Sequence, residues 1–259
     1  MRWGHTGRET VFGGILGAAL ALALVTPAAA FDIGAMTDAE RDAFRAEVRD
    51  FLLDEPQILL EVIDRLESRQ AEAQTASDET LIATNAQELF HDDHSWVGGN
   101  PEGDVTLVEF VDYSCGFCKR AHPEVMDLLE RDGNIRFVVK EFPILGPESE
   151  QASRFAIAVL QSAGDEAYAA VMDRLLELAG PPVAASRAQI ARDLGLDLPA
   201  IEARMDSAAV SRVIDSNRAL AARLQINGTP TFVTEVQLVR GFLPLEGMQR
   251  VIEAARGDS

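Results

Sequence analysis

Cysteine is scarce in this chain. Of 259 residues only Cys115 and Cys118 are cysteines, and they stand together in "VEFVDYSCGFCKRAHPEV". A secreted protein stapled by disulfides would spread several cysteines along its length. A bridge across so small a loop barely restricts the unfolded chain, so a structural staple is a weak reading. Positive charge is scarce as well: 23 Lys and Arg face 42 Asp and Glu, a formal net charge of −19. That balance argues against nucleic acid and against an anionic membrane surface as partners. No second Cys/His pair lies at a finger-like spacing, and no Met-rich or His-rich tract exists to pass copper onward. The apolar run Val11–Val25 falls short of the roughly 20 residues that span a bilayer.

That run does fit an export signal. Arg2 and Arg8 give a positive start, and Ala28-Ala29-Ala30 offers a small-residue cleavage site before Phe31. Residues 1–30 are therefore expected to be removed on secretion by the general route, with the periplasm of a bacterium as destination, where disulfides persist.

Residues 31–94 are expected to form a separate helical region. "TDAE" at Thr37–Glu40 has the form of a capping box, and Phe44, Val48, Phe51 and Leu52 follow at helical spacing. Pro56 suits the first turn of a second helix carrying Leu59, Val62, Ile63 and Leu66 on one face; a third is expected from about Glu79 to Phe90. Such helices bury too little to stand alone. Either they pack on the rest of the chain or they meet copies of themselves, and the apolar stripe favours self-association. "HDDH", His91–His94, reads as a solvated helix end, with a metal site as the alternative.

From Ser95 the texture changes. "SWVGG" is a short strand, "VTLVEFVDY" (Val105–Tyr113) a longer one ending at the cysteines, and "NIRFVVKEFP" from Asn134 another. A helix is expected to open at Cys115. A helical stretch runs from about 148 to 224, "NGTPTFVTEVQLVRGFLP" reads as two short strands, and "LEGMQRVIEAAR" as a closing helix. The order is that of an α/β domain with a block of helices in its middle.

On that scaffold Cys115 faces the first N–H groups of a helix. They favour a thiolate there and do nothing for Cys118 one turn further in. Cys115 is thus the expected nucleophile, and Cys118 the thiol that resolves a mixed disulfide. Gly116-Phe117 adds no charge, which leaves Lys119, Arg120 and His122 as nearby cations. Zinc would need more ligands than these; copper(I), which two thiolates can hold, is the competing reading.

The pattern resembles the DsbA-like branch of the thioredoxin superfamily over about Ser95–Arg256. The marks are the strand–C-x-x-C–helix unit, Pro123 five residues after Cys118, the helical insertion, and "GTP" at Gly228–Pro230 opening a later strand. The resemblance implies an α/β thioredoxin-like fold over 95–259, with the insertion about 148–224 and the small helical region in front. It also implies a cis Thr229–Pro230 bond whose loop faces the cysteines and holds an extended substrate chain. Glu109 matches the family's buried acid, which could exchange protons with Cys118, and Lys140 in the neighbouring strand is its expected partner; an edge-facing salt bridge is the alternative. "DEPQILLEVIDRLESRQ", Asp54–Gln70, is similar to the oligomerisation segment of the suppressor-of-copper-sensitivity C-type isomerases. Gly116-Phe117 departs from the proline-histidine pair of the strong oxidants, and Thr229 is closer to the isomerases. The function implied is a periplasmic protein disulfide oxidoreductase or isomerase that needs no cofactor. Its expected partners are exported client proteins with cysteines, a membrane or periplasmic partner that resets the pair, and further copies of itself through the N-terminal helices.

Overall fold

Val105–Val111 is apolar except at Thr106 and Glu109, and it is buried along its whole length. A strand with that pattern needs cover on both faces, as in a sheet clothed by helices. The computed structural model, which describes residues 33–257, shows that arrangement. The export-signal reading falls outside the described residues.

The described residues divide into two compact units between Glu61 and Val62. In the first, Thr37 caps helix α1 (Asp38–Asp54) through a complete capping box: its hydroxyl meets the Glu40 N–H, and the Glu40 carboxylate returns to the Thr37 N–H at 2.9 Å. No residue of α1 is buried, and Phe44, Val48, Phe51, Leu59 and Leu60 are exposed. Helix α2 runs without a break over Gln57–Thr84, so the expected second and third helices are largely one, and Asn85 separates a short α3 (Ala86–Phe90).

The second unit is built on β1 (Trp96–Gly99), β2 (Val105–Val111), β3 (Ile135–Glu141), β4 (Thr231–Val233) and β5 (Leu238–Arg240). They form one sheet in the order β1-β3-β2-β4-β5. Only β2 and β3 are parallel, joined by α4 (Gly116–Asp132); the other pairs are antiparallel. Between β3 and β4 lie α5 (Pro147–Ala163), α6 (Asp165–Glu177), α7 (Ala184–Asp193), α8 (Leu198–Met205) and α9 (Ala208–Arg223), and α10 (Leu245–Gly257) follows β5. The fold is the α/β, thioredoxin-like one with a helical insertion that the sequence leads one to expect.

Strand periodicity divides the core in two. Leu107, Val111, Phe137 and Val139 pack with α4, α10 and most of the insertion. Val108, Phe110 and Val138 face the other way, onto Ile82, Leu89, Phe90, Leu220 and Leu224. The end of α2 and α3 therefore belong to this unit's core, while the stripe ending at Leu66 stays exposed.

Candidate active site

Cys115 is the N-cap of α4, with extended backbone (φ −78°, ψ 115°), so the chain turns from β2 into the helix at the sulfur. Its N–H donates to the Asp112 carbonyl at 3.0 Å, closing the turn. Both cysteines are free thiols, Cys115 only 6% exposed and Cys118 fully buried. The Thr229–Pro230 bond is cis, and the Cys115 Sγ–H donates to the Thr229 carbonyl at 3.1 Å. The loop ahead of β4 thus lies directly against the first sulfur.

The two thiols differ sharply in acidity. A hydrogen bond from Cys118 pulls Cys115 down to about 5, with the Thr229 side chain and the N–H groups of Cys118 and Phe117 adding to it. Burial pushes Cys118 far above the thiol range; its bond to Cys115 and the nearby Glu109 charge push the same way. A helix start stabilises charge on the sulfur it faces, while the next sulfur lies in the core.

Glu109 is buried in the middle of β2, and burial raises its carboxyl to about 8, helped by the charge on Cys115. Its Oε1 has no hydrogen-bond partner among the described residues. The expected pairing with Lys140 does not exist. Glu109 stands opposite Val139, whereas Lys140 stands opposite Phe110, so the two side chains leave the sheet on opposite faces. Lys140 instead donates to the Glu88 carbonyl at 2.7 Å and pairs with Asp92. It belongs to the clasp that fixes α3 to the sheet, away from the thiols. The same contact corrects the reading of "HDDH" as a solvated end: Asp93 is open to water, but Asp92 is nearly covered and also receives the Ser95 N–H at 2.7 Å. No cluster of three or more His, Cys, Asp or Glu suited to a metal ion occurs among the described residues.

The cations near the motif are engaged elsewhere. Lys119 Nζ donates to the carbonyls of Leu178 (2.8 Å) and Gly180 (2.7 Å), beyond the end of α6. Arg120 lies over the Phe117 ring at 4.3 Å, and His122 is buried with Nε2 2.9 Å from Asp173. None of the three is needed to account for the acidity of Cys115.

Two buried acids escape the sequence reading. Asp112, at the end of β2, is fully buried and receives four hydrogen bonds: Ser114 N–H (2.8 Å), Ser149 Oγ–H (2.7 Å), Ile144 N–H (2.8 Å) and Leu145 N–H (3.0 Å). The Asp-x-Ser step after an apolar strand is the signal that could have found it, since Asp there closes a turn onto its own backbone. Glu141, ending β3, accepts from the hydroxyls of Tyr113 (2.7 Å) and Tyr168 (2.6 Å), and burial raises it to about 7. Its tyrosine partners lie 28 and 27 residues away, and no local pattern announces them.

A helix-start dithiol with unequal acidities, a buried acid beneath it and a loop against its first sulfur is a recurrent constellation, and family comparison places it. The family model described as "Thioredoxin" matches residues 91–254. The chain belongs to the thioredoxin family. A second model, described as the N-terminal domain of the copper resistance protein ScsC, matches residues 40–73. A thioredoxin-like oxidoreductase from Silicibacter pomeroyi is 41% identical, covering 66% of this chain and 97% of that one, with a TM-score of 0.62. The thiol-disulfide exchange protein α-DsbA2 from Wolbachia pipientis is 26% identical over 70% of this chain and 97% of that one, TM-score 0.65. A periplasmic thioredoxin-like protein from Salmonella enterica serovar Typhimurium shares the fold at 22% identity, 66% and 94% coverage, TM-score 0.61. Among curated proteins, the Na(+)/H(+) antiporter NhaA 1 of Salinispora arenicola is 28% identical over 165 residues, 63% of this chain. The chain spans only 25% of the length of that relative, and of a second antiporter from Herminiimonas arsenicoxydans. No helix among the described residues is long and apolar enough to cross a membrane. The two solved relatives above 25% identity among these are a thioredoxin-like oxidoreductase and a thiol-disulfide exchange protein.

Proposed function

We propose that this protein is a thiol-disulfide oxidoreductase that acts in the periplasm on cysteines of exported proteins through its Cys-Gly-Phe-Cys pair. The observation that carries the reading is the split in acidity between Cys115, near 5, and the buried Cys118. In the reduced enzyme the Cys115 thiolate attacks a client disulfide. One Cys115–client sulfur bond forms as the client S–S bond breaks, and the second client sulfur leaves as a thiolate. Cys118 then attacks Cys115, releasing the client thiol and leaving the Cys115–Cys118 disulfide. To attack, Cys118 must lose its proton, and Glu109, buried on the same side with its Oε1 unpartnered, takes it in its ionised form and holds it as the neutral acid otherwise. Oxidation of a client dithiol runs the same steps backwards. Thr229 and Pro230 hold the client chain beside the sulfur, and a redox partner in the same compartment resets the pair. The chemistry uses no cofactor, because the disulfide itself carries the electrons.

A low nucleophile pKa stabilises the reduced enzyme and so makes the disulfide a better oxidant. This moves the balance towards oxidation more than Gly116-Phe117 alone suggests. The unburied stripe from Phe44 to Leu66 favours self-association, which would present several sites to one misfolded client and favour isomerisation. The segment matched by the copper-resistance model carries no thiol, so copper(I) binding rests on the cysteine pair alone.

Refolding of a reduced and of a scrambled multi-disulfide protein tests the reading. Cys115→Ser is expected to abolish both activities, and Cys118→Ser to accumulate a client mixed disulfide on Cys115 visible on a non-reducing gel. Turnover that survives Cys115→Ser, or tight copper(I) binding with no turnover by the intact pair, overturns it. Sedimentation of the mature chain as a monomer removes the self-association.

A further inference from the structure

Beyond Leu66, the exposed large apolar side chains among the described residues are Phe117, Ile144, Leu145 and Val183. They come from separate parts of the chain, yet each is tied to the cysteine motif. Phe117 lies within it. Val183 follows the segment whose Leu178 and Gly180 carbonyls are held by Lys119, the residue after Cys118. Ile144 and Leu145 donate their N–H groups to a single Asp112 oxygen, and the Asp112 carbonyl in turn receives the Cys115 N–H. One residue thus joins the backbone of the β3–α5 connection to the backbone of the nucleophile.

We propose that Asp112 is a positioning residue for client exchange: its carboxylate holds the Ile144–Leu145 connection at the rim of the Cys115 sulfur. The four groups around the carboxylate are all donors, two of them from this connection, one from Ser149 at the start of α5 and one from the Cys115 turn. An ionised carboxylate can accept from all of them, whereas an amide can present an acceptor to only one side. A buried carboxylate with every lone-pair direction used locks the groups around it. The occupant is set by the Cys115 sulfur to which the connection is tied: its exchange partner is a disulfide, here one formed by a cysteine of a client chain. Leu145, 54% exposed, and Phe117, 53% exposed, then offer apolar contact to the residues flanking that cysteine. The inference rests on the exchange reading given above, and concerns selection among clients rather than the exchange step.

The test uses two disulfide-linked peptides that differ only in having Leu or Ser on either side of the cysteine. The wild-type chain is expected to prefer the Leu-flanked peptide in kcat/KM. Asp112→Asn should cut that preference by about tenfold, through KM rather than kcat. Leu145→Ser should cut it as well, and the double variant should add little, because both changes remove the same contact. Should Asp112→Asn fail to give a cooperative unfolding transition, Ser149→Ala, which removes one of the four hydrogen bonds, is expected to cut the preference by about threefold. An Asp112→Asn variant that slows both peptides equally, or neither, overturns the proposal, as does a Ser149→Ala variant with full preference where it carries the test. A wild-type chain that exchanges with both peptides without preference also overturns it. A wild-type chain that exchanges with neither overturns the exchange reading instead.

Discussion

Glu109 and Lys140 are offset by one residue in the register of adjacent strands, and they point to opposite faces of the sheet. Both are charged types sunk in the core. Lys140 is held by Asp92 and a backbone carbonyl, and the contact closes α3 onto the sheet. Glu109 has an oxygen with no partner and sits on the side of the thiols. A buried charge that is paired holds structure together, whereas one left unpaired is costly and stays neutral until something nearby needs its proton. Burial alone does not separate the two roles. Pairing does.

The largest effect expected from that contrast is in the pH dependence of stability, measured on the oxidised enzyme so that Cys115 does not titrate. Glu109 ionises near 8 in the native dithiol against 4.5 for a free side chain, and burial, the larger cause, persists when the Cys115 charge is gone, so above 4.5 the native state keeps a proton that the unfolded state has lost. The resulting stability is complete below about pH 4.5 and is lost as pH rises through 8, on the order of 4 kcal/mol in all. Glu109→Gln should remove this part of the slope and leave a smaller loss that ends near pH 7, where Glu141 ionises. In the reduced enzyme, the pH profile of mixed-disulfide resolution by Cys118 should lose its inflection near 8. A Gln variant whose stability falls with pH as steeply as the parent's would mean that Glu109 is solvated or paired in solution.

Lys140→Met breaks the contrast from the other side. It leaves Asp92 with its bonds to Ser95 and His94 but without a cation, and should cost about 3 kcal/mol in urea unfolding. The pH dependence of Cys115 alkylation should not move. A shifted alkylation profile at unchanged stability would return Lys140 to the chemistry.

How much of this is legible in the sequence depends on how far apart the deciding residues are. The Thr37–Glu40 capping box, the strand-to-helix turn at Cys115 and the order of strands all depend on local spacing, and they stand as the residues suggest. The partner of Lys140 does not, because face assignment depends on the β2–β3 register, and a register is set by packing across the whole pair. Asp92, its actual partner, lies 48 residues upstream in a stretch that reads as polar surface. The break expected before Glu79 is absent for a related reason: Ile82 buries against β2 and β3 beside Leu89 and Phe90, and that packing draws α2 on to Thr84. Local signals place the acidic sulfur at the helix start; the groups that tune or frame it are assembled from afar.

His122 gives the smallest expected effect and the finest test of the rule. It is a buried titratable residue on the helix that carries the thiols, one turn past Cys118, so position alone would assign it to the chemistry. It has a partner, however: Asp173 on α6, 2.9 Å away and half exposed. A pair open to water on one side contributes little, and His122→Gln, which can still bridge to Asp173, should cost no more than about 1 kcal/mol. The Cys115 alkylation profile, with its midpoint near pH 5, should stay where it is. If the midpoint rises in the Gln variant, His122 supplies charge to the thiolate, and pairing no longer distinguishes the residues that hold the fold from those that serve the sulfur.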